Sequence, residues 1–336
     1  MKLKRKSIVS SILILSGLSL TGCSSSTLTE EDVNEFMSYV FNQTANSEVN
    51  FNEFEEQISK YISKIGDKEK TSQIINDYIY VLYNEVNQYI SYFNIIGDDL
   101  DIIKKNLNIE SIDVSMHKDI SKESKVIGAI LEEMQDRNLM VIDKNNLYTV
   151  EVDMKKIIEK FEKYLTTDLI EFMNFRSDEN INPAYDNNTD KFDIDILLNR
   201  ASTAIDYIEN NKESSQLSNW QSTADYYYQL IFAEYTSQFL DTSTEVKKIS
   251  SDYLKELKDK LEGYKSTLIY DDIAKYIELL EKNDYNIEAE EVANHRSQVL
   301  KSIFKVGKTE IKSEVETTPE DASNIEIDSI TESDNK

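Results

Sequence analysis

Glu291 and His295 are the residues whose types and spacing come closest to a catalytic or metal-binding pair. Side chains four positions apart on a helix are neighbours on one face, which would supply two metal ligands or an acid–base pair. His117 is the only other histidine, and the chain contains no His-Glu-x-x-His motif. We therefore interpret Glu291 and His295 as a surface contact between successive helical turns and expect neither a metal site nor a catalytic site there.

A second candidate is a run of oxygen-bearing side chains at nearly alternate positions. It consists of Asp186, Asn188, Asp190, Asp193 and Asp195. Carboxylate and amide oxygens suit calcium, but an EF-hand loop needs Gly at its sixth position and Glu at its twelfth, where this chain has Lys191 and Leu197. The pattern favours an exposed loop that caps the following helix, with a looser calcium site as the alternative.

Other motifs that would support a reaction or a cofactor are missing from the sequence. There is no Gly-x-Ser-x-Gly nucleophile elbow and no Gly-x-Gly turn for a nucleotide phosphate. One cysteine cannot form an intramolecular disulfide, and with two histidines it is too few for the usual zinc site. A formal net charge of −26 repels nucleic-acid phosphate. The sequence thus predicts no cofactor, no nucleic-acid partner and no catalytic residues.

The densest aromatic group comprises Trp220 and the three consecutive tyrosines Tyr226, Tyr227 and Tyr228. Three consecutive residues on a helix span about 200°, so they cannot all face one core. At least one tyrosine is expected at a surface or at a boundary between helices. We interpret the group as boundary packing, with a protein or sugar contact as the alternative.

The single cysteine, Cys23, follows an N-terminal segment with the outline of an export signal. A basic cluster precedes an apolar stretch over 7–20, which is too short for a comfortable permanent membrane span of about 20 residues. Leu20, Thr21 and Gly22 stand directly before Cys23, and together they resemble the lipobox of bacterial lipoproteins. The resemblance implies cleavage before Cys23, a diacylglyceryl group on its sulfur, and a lipid anchor in a membrane.

Processing would leave a strongly acidic protein held close to the lipid. Loss of residues 1–22 removes four basic side chains and changes the formal net charge from −26 to −30. Abundant Lys, Asn, Ile and Tyr with little Gly or Pro is typical of an AT-rich genome and favours a Gram-positive source, with the protein on the outer face of the cell membrane. The tether over 23–28 spans at most roughly 20 Å, so the folded part is expected near the membrane.

Apolar residues at helical spacing predict a mostly α-helical protein. Thr29 and Asp32 form an expected capping box, and Gly66 is expected to close the second helix as a left-handed C-cap. The clearest pattern has alternating separations of 4 and 3 residues and predicts one long helix over 68–96, packed within a bundle, with a freestanding coiled coil as the alternative. Further helices are expected at 98–107, 120–138, 154–175 and, after a break, at five places between 193 and 306.

Residues 139–152 depart from the helical period. The β-prone runs 139–142 and 147–152 flank four turn-forming residues and predict one small hairpin. A helix followed by such a hairpin resembles a winged-helix module. The helix that reads DNA in those modules would here present Glu132, Glu133 and Asp136, so the resemblance implies a topology and not DNA binding.

The expected organisation is a multi-helix bundle with two lobes. The parts are the signal peptide (1–22), the tether (23–28), an N-terminal helical lobe with the hairpin (29–175), a linker or lid loop (176–192), a C-terminal helical lobe (193–306) and an acidic disordered tail (307–336). With no catalytic motif beside a helical surface and a short lipid tether, the leading hypothesis is a non-catalytic binding or assembly factor for another envelope protein. The alternatives are capture of a cationic peptide or divalent cation and, third, an envelope hydrolase.

Overall fold

The computed structural model describes residues 28–45, 49–144, 147–186 and 189–306. Within these ranges the chain is mostly α-helical, with three two-stranded antiparallel sheets, which confirms the expected fold class. The N-terminal elements are α1 (Glu30–Thr44), α2 (Phe51–Ile62), α3 (Lys68–Leu107), α4 (His117–Glu123), α5 (Lys125–Asp136), β1 (Leu139–Lys144), β2 (Leu147–Val152), α6 (Met154–Phe161) and α7 (Thr167–Ile181). The remaining elements are β3 (Tyr185–Asp186), β4 (Lys191–Phe192), α8 (Ile194–Asn210), α9 (Leu217–Ile231), β5 (Leu240–Asp241), β6 (Lys248–Ile249), α10 (Ser251–Leu261), α11 (Tyr270–Lys282) and α12 (Glu290–Ile303).

Helix α3 is the centre of the first hydrophobic core. Its 40 residues correspond to about 60 Å at 1.5 Å per residue. Its N-cap is Asp67, whose side chain accepts hydrogen bonds from the amides of Glu69 and Lys70. Helix α1 and the strand β2 pack against its apolar stripe. Because α3 packs against more than one other element, it lies within a bundle, as expected, and is not a freestanding coiled coil.

Helix α3 continues through Gly97, so the expected separate helices at 68–96 and 98–107 are wrong. The apolar spacing carries on from Ile96 to the buried residues Leu100 and Ile103. Burial of these side chains outweighs the roughly 1 kcal/mol cost of one glycine inside a helix. The helix ends at Asn108, which adopts the left-handed conformation with φ 52°.

The first two helices show one expected end and one unexpected end. Thr29 and Asp32 form the capping box in both directions, which confirms the expected start of α1. Helix α2 ends at Ile62, and its C-cap Ser63 has right-handed φ and ψ angles. The expected C-cap role of Gly66 is therefore wrong, because the helix stops one turn earlier.

The expected helix over 120–138 is two helices, α4 and α5, broken at Ser124. Ser124 has an extended backbone, and its side chain caps α5 by accepting from the amide of Ile127 at 3.4 Å. The two helices cross closely at Gly128, where an added Cβ would lie 2.8 Å from the carbonyl oxygen of His117. The break allows α4 to fold back on α5.

The hairpin is confirmed, but the helix expected after it over 154–175 is also two helices. Strands β1 and β2 pair in the register Leu139 with Val152 through Lys144 with Leu147. Helices α6 and α7 are separated by a turn. The N-cap of α7 is Thr166, whose amide donates to the buried Ser72 Oγ at 2.9 Å. A tertiary hydrogen bond thus fixes the break, and α7 runs to Ile181 instead of ending near Phe175.

The five helices expected in the C-terminal part are all present as α8 to α12. Their apolar faces form a second hydrophobic core that includes Trp220, Tyr228, Leu257, Tyr276 and Val292. Helices α8 and α9 form the most extensive helix pair of this core, and α12 packs on α9 and α11. The second core is therefore built from consecutive helices, and the strands β5 and β6 lie in the connection between α9 and α10.

Helix α7 contributes to both hydrophobic cores through two different faces. Leu169 and Met173 lie in the first core, whereas Phe172 and Phe175 pack against the second. The segment 176–192, expected as a linker or lid, begins inside this helix and continues into the short pair β3 and β4. The division into two lobes stays a prediction. In the part of the chain that the structure describes, no helix has the length and apolar character needed to cross a membrane.

Candidate functional site

The candidate site is a groove between α9 and α12, with a cavity of about 370 Å³. Helix α12 supplies an apolar wall of Ala293, Leu300 and Phe304, and the side chain of Phe304 is 38% exposed. Asp225 on α9 and Glu234 just after it supply an acidic edge. Ser297 and Lys301 of α12 complete the lining. The groove therefore places an apolar surface directly beside two carboxylates.

Two polar contacts hold α9 and α12 side by side at opposite ends of the groove. Near the start of α9, the Gln221 amide donates to the carbonyl oxygens of Ile303 at 2.8 Å and Val306 at 3.0 Å. Near its end, Glu234 pairs with the Nε of Arg296 at 3.4 Å. These contacts pair the start of one helix with the end of the other, so the helices are antiparallel. The two contacts thus fix the distance between α9 and α12, and the groove lies along the line where these helices meet.

The end of α9 places Glu234 at the groove by a sharp turn. Ala233 has a left-handed φ of 59° and is fully buried. The amide of Ala233 donates to Leu230 O at 3.0 Å and that of Glu234 to Gln229 O at 2.9 Å, which is the Schellman pattern. A residue other than glycine in this conformation costs about 1–2 kcal/mol. The turn is maintained by the packing around it.

The carboxylate of Asp225 is the part of the groove that favours a nearby cation, whereas Lys301 of the lining opposes one. Burial raises the pKa of Asp225, although the Gln229 amide donates to its carboxylate at 2.6 Å and lowers the pKa in part. A half-buried carboxylate with a single neutral hydrogen-bond donor gains from a nearby positive charge. Chemically, the arrangement can bind an apolar group that carries or adjoins a cation.

A second cavity, of about 360 Å³, lies between the start of α2 and helix α5. Its walls are mostly polar and include Glu132, Glu133 and Asp136, the residues of the winged-helix comparison. Arg137 in this cavity pairs with Glu85 and Glu133. Its guanidinium also lies 5.4 Å from the ring centre of Phe51. The guanidinium of Arg137 therefore already has intramolecular partners, which makes this cavity a weaker candidate for a binding site.

A buried polar cluster joins α7, α8 and α9 beside the contact between the two cores. Arg200 and Glu179 are almost fully buried, and both contact the Tyr227 hydroxyl, which donates to Glu179 and accepts from Arg200 at 3.3 Å. Arg200 also donates to the carbonyl oxygen of Asn182, and Arg176 pairs with Glu179. Buried charged groups need hydrogen-bond and ion-pair partners, and here they find them in one another. The cluster therefore fixes the positions of α7, α8 and α9 relative to each other.

The histidine and glutamate considered for catalysis have separate partners. Glu291 pairs with Lys282 at 2.7 Å, and hydrogen bonding from Lys282 lowers the pKa of its carboxyl group. The Nε2 atom of His295 lies 2.8 Å from the carbonyl oxygen of Asp272. His117 is on α4, with its Nδ1 atom 4.0 Å from Glu132. Each of these residues therefore has a partner of its own, and Glu291 and His295 do not form the expected contact with each other.

The acidic residues considered for calcium are also dispersed. Asp193 caps α8 by accepting from the amide of Ile196 at 3.1 Å, as the loop interpretation expects. Asp195 pairs with Lys260 on α10, and Asp190 accepts from the Tyr185 hydroxyl. Asn188 lies outside the described residues. Within the described ranges, no three His, Cys, Asp or Glu side chains are close enough together to hold a metal ion.

The aromatic group behaves as expected. Tyr226 is 47% exposed, while Tyr227, Tyr228 and Trp220 are buried. The ring of Tyr226 lies 6.3 Å from that of Tyr235, which is also exposed. One tyrosine of the three therefore lies at the surface, and the other two belong to the second core.

The lipobox residues Leu20, Thr21, Gly22 and Cys23 lie outside the described residues, as does the tail over 307–336. Their interpretation stays a prediction. The groove was missed at the sequence level, although α12 carried a signal for it. Leu300 and Phe304 widen the apolar face formed by Val292, Val299 and Ile303 beyond what one neighbouring helix covers.

Comparisons with known proteins give no relative: no protein-family model, no curated protein and no solved structure matches this chain.

Proposed function

We propose that the mature chain is a lipid-anchored, non-catalytic binding protein for another protein of the bacterial envelope, and that the groove between α9 and α12 is its docking site. The observation that carries this proposal is the apolar wall of the half-buried Leu300 and the exposed Phe304 beside the carboxylates of Asp225 and Glu234. Side chains that become fully buried at the centre of a protein–protein interface supply much of the binding energy, and a partner packed on this wall would bury Phe304 in that way.

The lipobox ending at Cys23 supports the envelope location. A diacylated cysteine gives the two-chain anchor that stable attachment takes. The first described helix begins at Glu30, so only a few residues separate the anchor from the folded part. The protein would present the groove within a short distance of the lipid surface, where envelope proteins are available as partners.

The alternative of cationic-peptide capture draws on the same acidic edge, whereas the hydrolase alternative gains no support from a specific contact. The two binding hypotheses differ in whether the ligand is part of a resident envelope protein. In both, the role of the groove is recognition by shape and charge.

The test is capture from intact cells with a crosslinker that does not pass the membrane. The full-length chain is compared with Cys23→Ala, which removes the lipid attachment and leaves the folded part unchanged. The proposal expects at least one envelope protein to be enriched by the wild-type chain over the variant. Equal recovery of every envelope protein by the two chains would contradict it.

A further inference from the structure

The groove has two chemically different sides, and together they define the kind of segment that fits. We infer that the partner inserts a short segment in which a large apolar side chain packs on Leu300 and Phe304 while a neighbouring Lys or Arg approaches Asp225. This inference rests on the proposed function and adds the chemistry of the partner. It commits to a segment of a resident envelope protein.

The cavity has room for side chains of a partner segment. Its volume of about 370 Å³ is at the lower end of the range of about 300–1,000 Å³ found for small-molecule pockets. That space accepts one or two side chains, while the rest of the segment would lie across the opening. Leu300 is half-buried and Phe304 is 38% exposed, so contact with an apolar side chain would remove apolar surface from water.

The charges around the groove select a basic neighbour for that apolar side chain. Asp225 is half-buried, whereas Glu234 forms an ion pair with the partly buried Arg296. Asp225 is therefore the main carboxylate of the groove for an added cation. Lys301 is the basic side chain of the lining and would oppose a cation at close range. The net charge of −26 attracts basic partners over longer distances.

The same charges argue against two other occupants. The segment 307–336 follows α12 directly, but it carries nine acidic and three basic side chains, so Asp225 and Glu234 would repel most of its length. Two of its three lysines lie within three residues of Ile311, so a crosslink from the groove to this segment of the same chain would overturn the inference. A second copy of this chain brings another net charge of −26, which opposes association.

The test places a photoreactive phenylalanine derivative at Ser297 of the full-length chain in intact cells. The matched control carries the same group at Lys255, an exposed position on α10 outside the groove. The partner segment attached at Ser297 is then mapped by mass spectrometry. The inference expects a segment with a Lys or Arg within four residues of a large apolar side chain, and little product from position 255. An acidic or uncharged segment at Ser297 would overturn the inference.

Reversal of the charge at Lys301 provides a second readout, and it leaves the hydrophobic core unchanged because this side chain is exposed. Lys301→Glu should raise the crosslinking yield at Ser297 about two- to fivefold, the effect of a single exposed charge. Lys255→Glu makes the same change of charge outside the groove and should leave the yield unchanged. No increase with Lys301→Glu would overturn the inference. A partner captured by the general crosslinker but not from Ser297 would overturn the inference and leave the proposed function standing, whereas no partner by either method would overturn both.

Discussion

The hydroxyl of Tyr227 donates a hydrogen bond to the buried carboxylate of Glu179, and this contact joins α9 to α7. Tyr227 is 3% exposed and Glu179 is 8% exposed. Because α7 also packs in the first hydrophobic core, the contact links the helix that lines the groove with the helix that both cores share. The buried cluster around it therefore supports the orientation of one wall of the groove.

Tyr227→Phe should destabilise the protein by about 1–3 kcal/mol, because it leaves a lone pair of Glu179 and a donor of Arg200 without their partner. Tyr226→Phe is the matched control, since that side chain is 47% exposed. Urea unfolding of both variants measures the difference. A loss of stability for Tyr226→Phe as large as that for Tyr227→Phe would contradict the role assigned to the cluster.

Stability should respond to pH through Glu151 on β2. Burial raises the pKa of this carboxyl above 4.5, nearby Arg176 lowers it in part, and Glu179 raises it further. The folded state therefore binds its proton more tightly than the unfolded state, and stability falls as the pH rises through the folded pKa. Glu151→Gln should be more stable than the wild type at pH 7, and the difference should shrink towards pH 4.

The control for this pH effect is Glu159→Gln on the exposed face of α6. Thermal unfolding between pH 4 and pH 7 gives the comparison for both variants. If Glu151→Gln loses stability relative to the wild type at pH 7, its carboxylate is net stabilising and the burial argument fails.

Two helical glycines should respond in opposite directions to the same substitution. Gly97→Ala should stabilise α3 by about 0.5–1 kcal/mol, because the nearest atom to the added Cβ outside the helix is Tyr148 Cδ2 at 3.8 Å. Gly128→Ala should destabilise by about 1–3 kcal/mol, because its Cβ would lie 2.8 Å from backbone atoms of His117 and Ser121. Chemical denaturation of the pair is the measurement, and equal signs would contradict the crossing of α4 and α5.

Much of the helical content could be predicted because it depends on local spacing. The pattern that identified α3 continues at Leu100 and Ile103, and only the presence of Gly97 suggested an end. The helix breaks at Ser124 and Thr166 could not be predicted from local spacing. Each side chain is a good N-cap, but the apolar pattern continues past both residues. At Thr166 the break is fixed by a hydrogen bond with Ser72, which is 94 residues away in the chain.

The groove could not be predicted in the same way, because it exists only where α9 and α12 meet. Leu300 and Phe304 were readable as extra apolar positions on α12, but their neighbours Asp225 and Glu234 come from another helix and the turn after it. Conversely, the pairing of Glu291 with His295 was suggested by spacing alone. Tertiary contacts with Lys282 and Asp272 give each residue its own partner instead.

The proposed lipid anchor on Cys23 predicts a change of location when this residue is substituted. Cys23→Ala should move the protein from the detergent-rich phase to the aqueous phase on Triton X-114 partitioning, because the residue that would carry the lipid is removed. Ser24→Ala is the matched control and should stay with the detergent. If Cys23→Ala partitions as the wild type does, the protein is held at the membrane by something other than this cysteine.

If the α9–α12 groove binds an envelope protein, removal of its exposed aromatic ring should remove the partner. Phe304→Ser deletes a ring of the groove that is 38% exposed, whereas Phe41→Ser deletes a 62% exposed ring on α1, away from the groove. The measurement is the amount of partner captured from intact cells by each full-length variant, with thermal unfolding to show that both are folded. Phe304→Ser should lose most of the partner, while Phe41→Ser should capture as much as the wild type. Undiminished capture by a folded Phe304→Ser protein would contradict the assignment of the groove as the docking site.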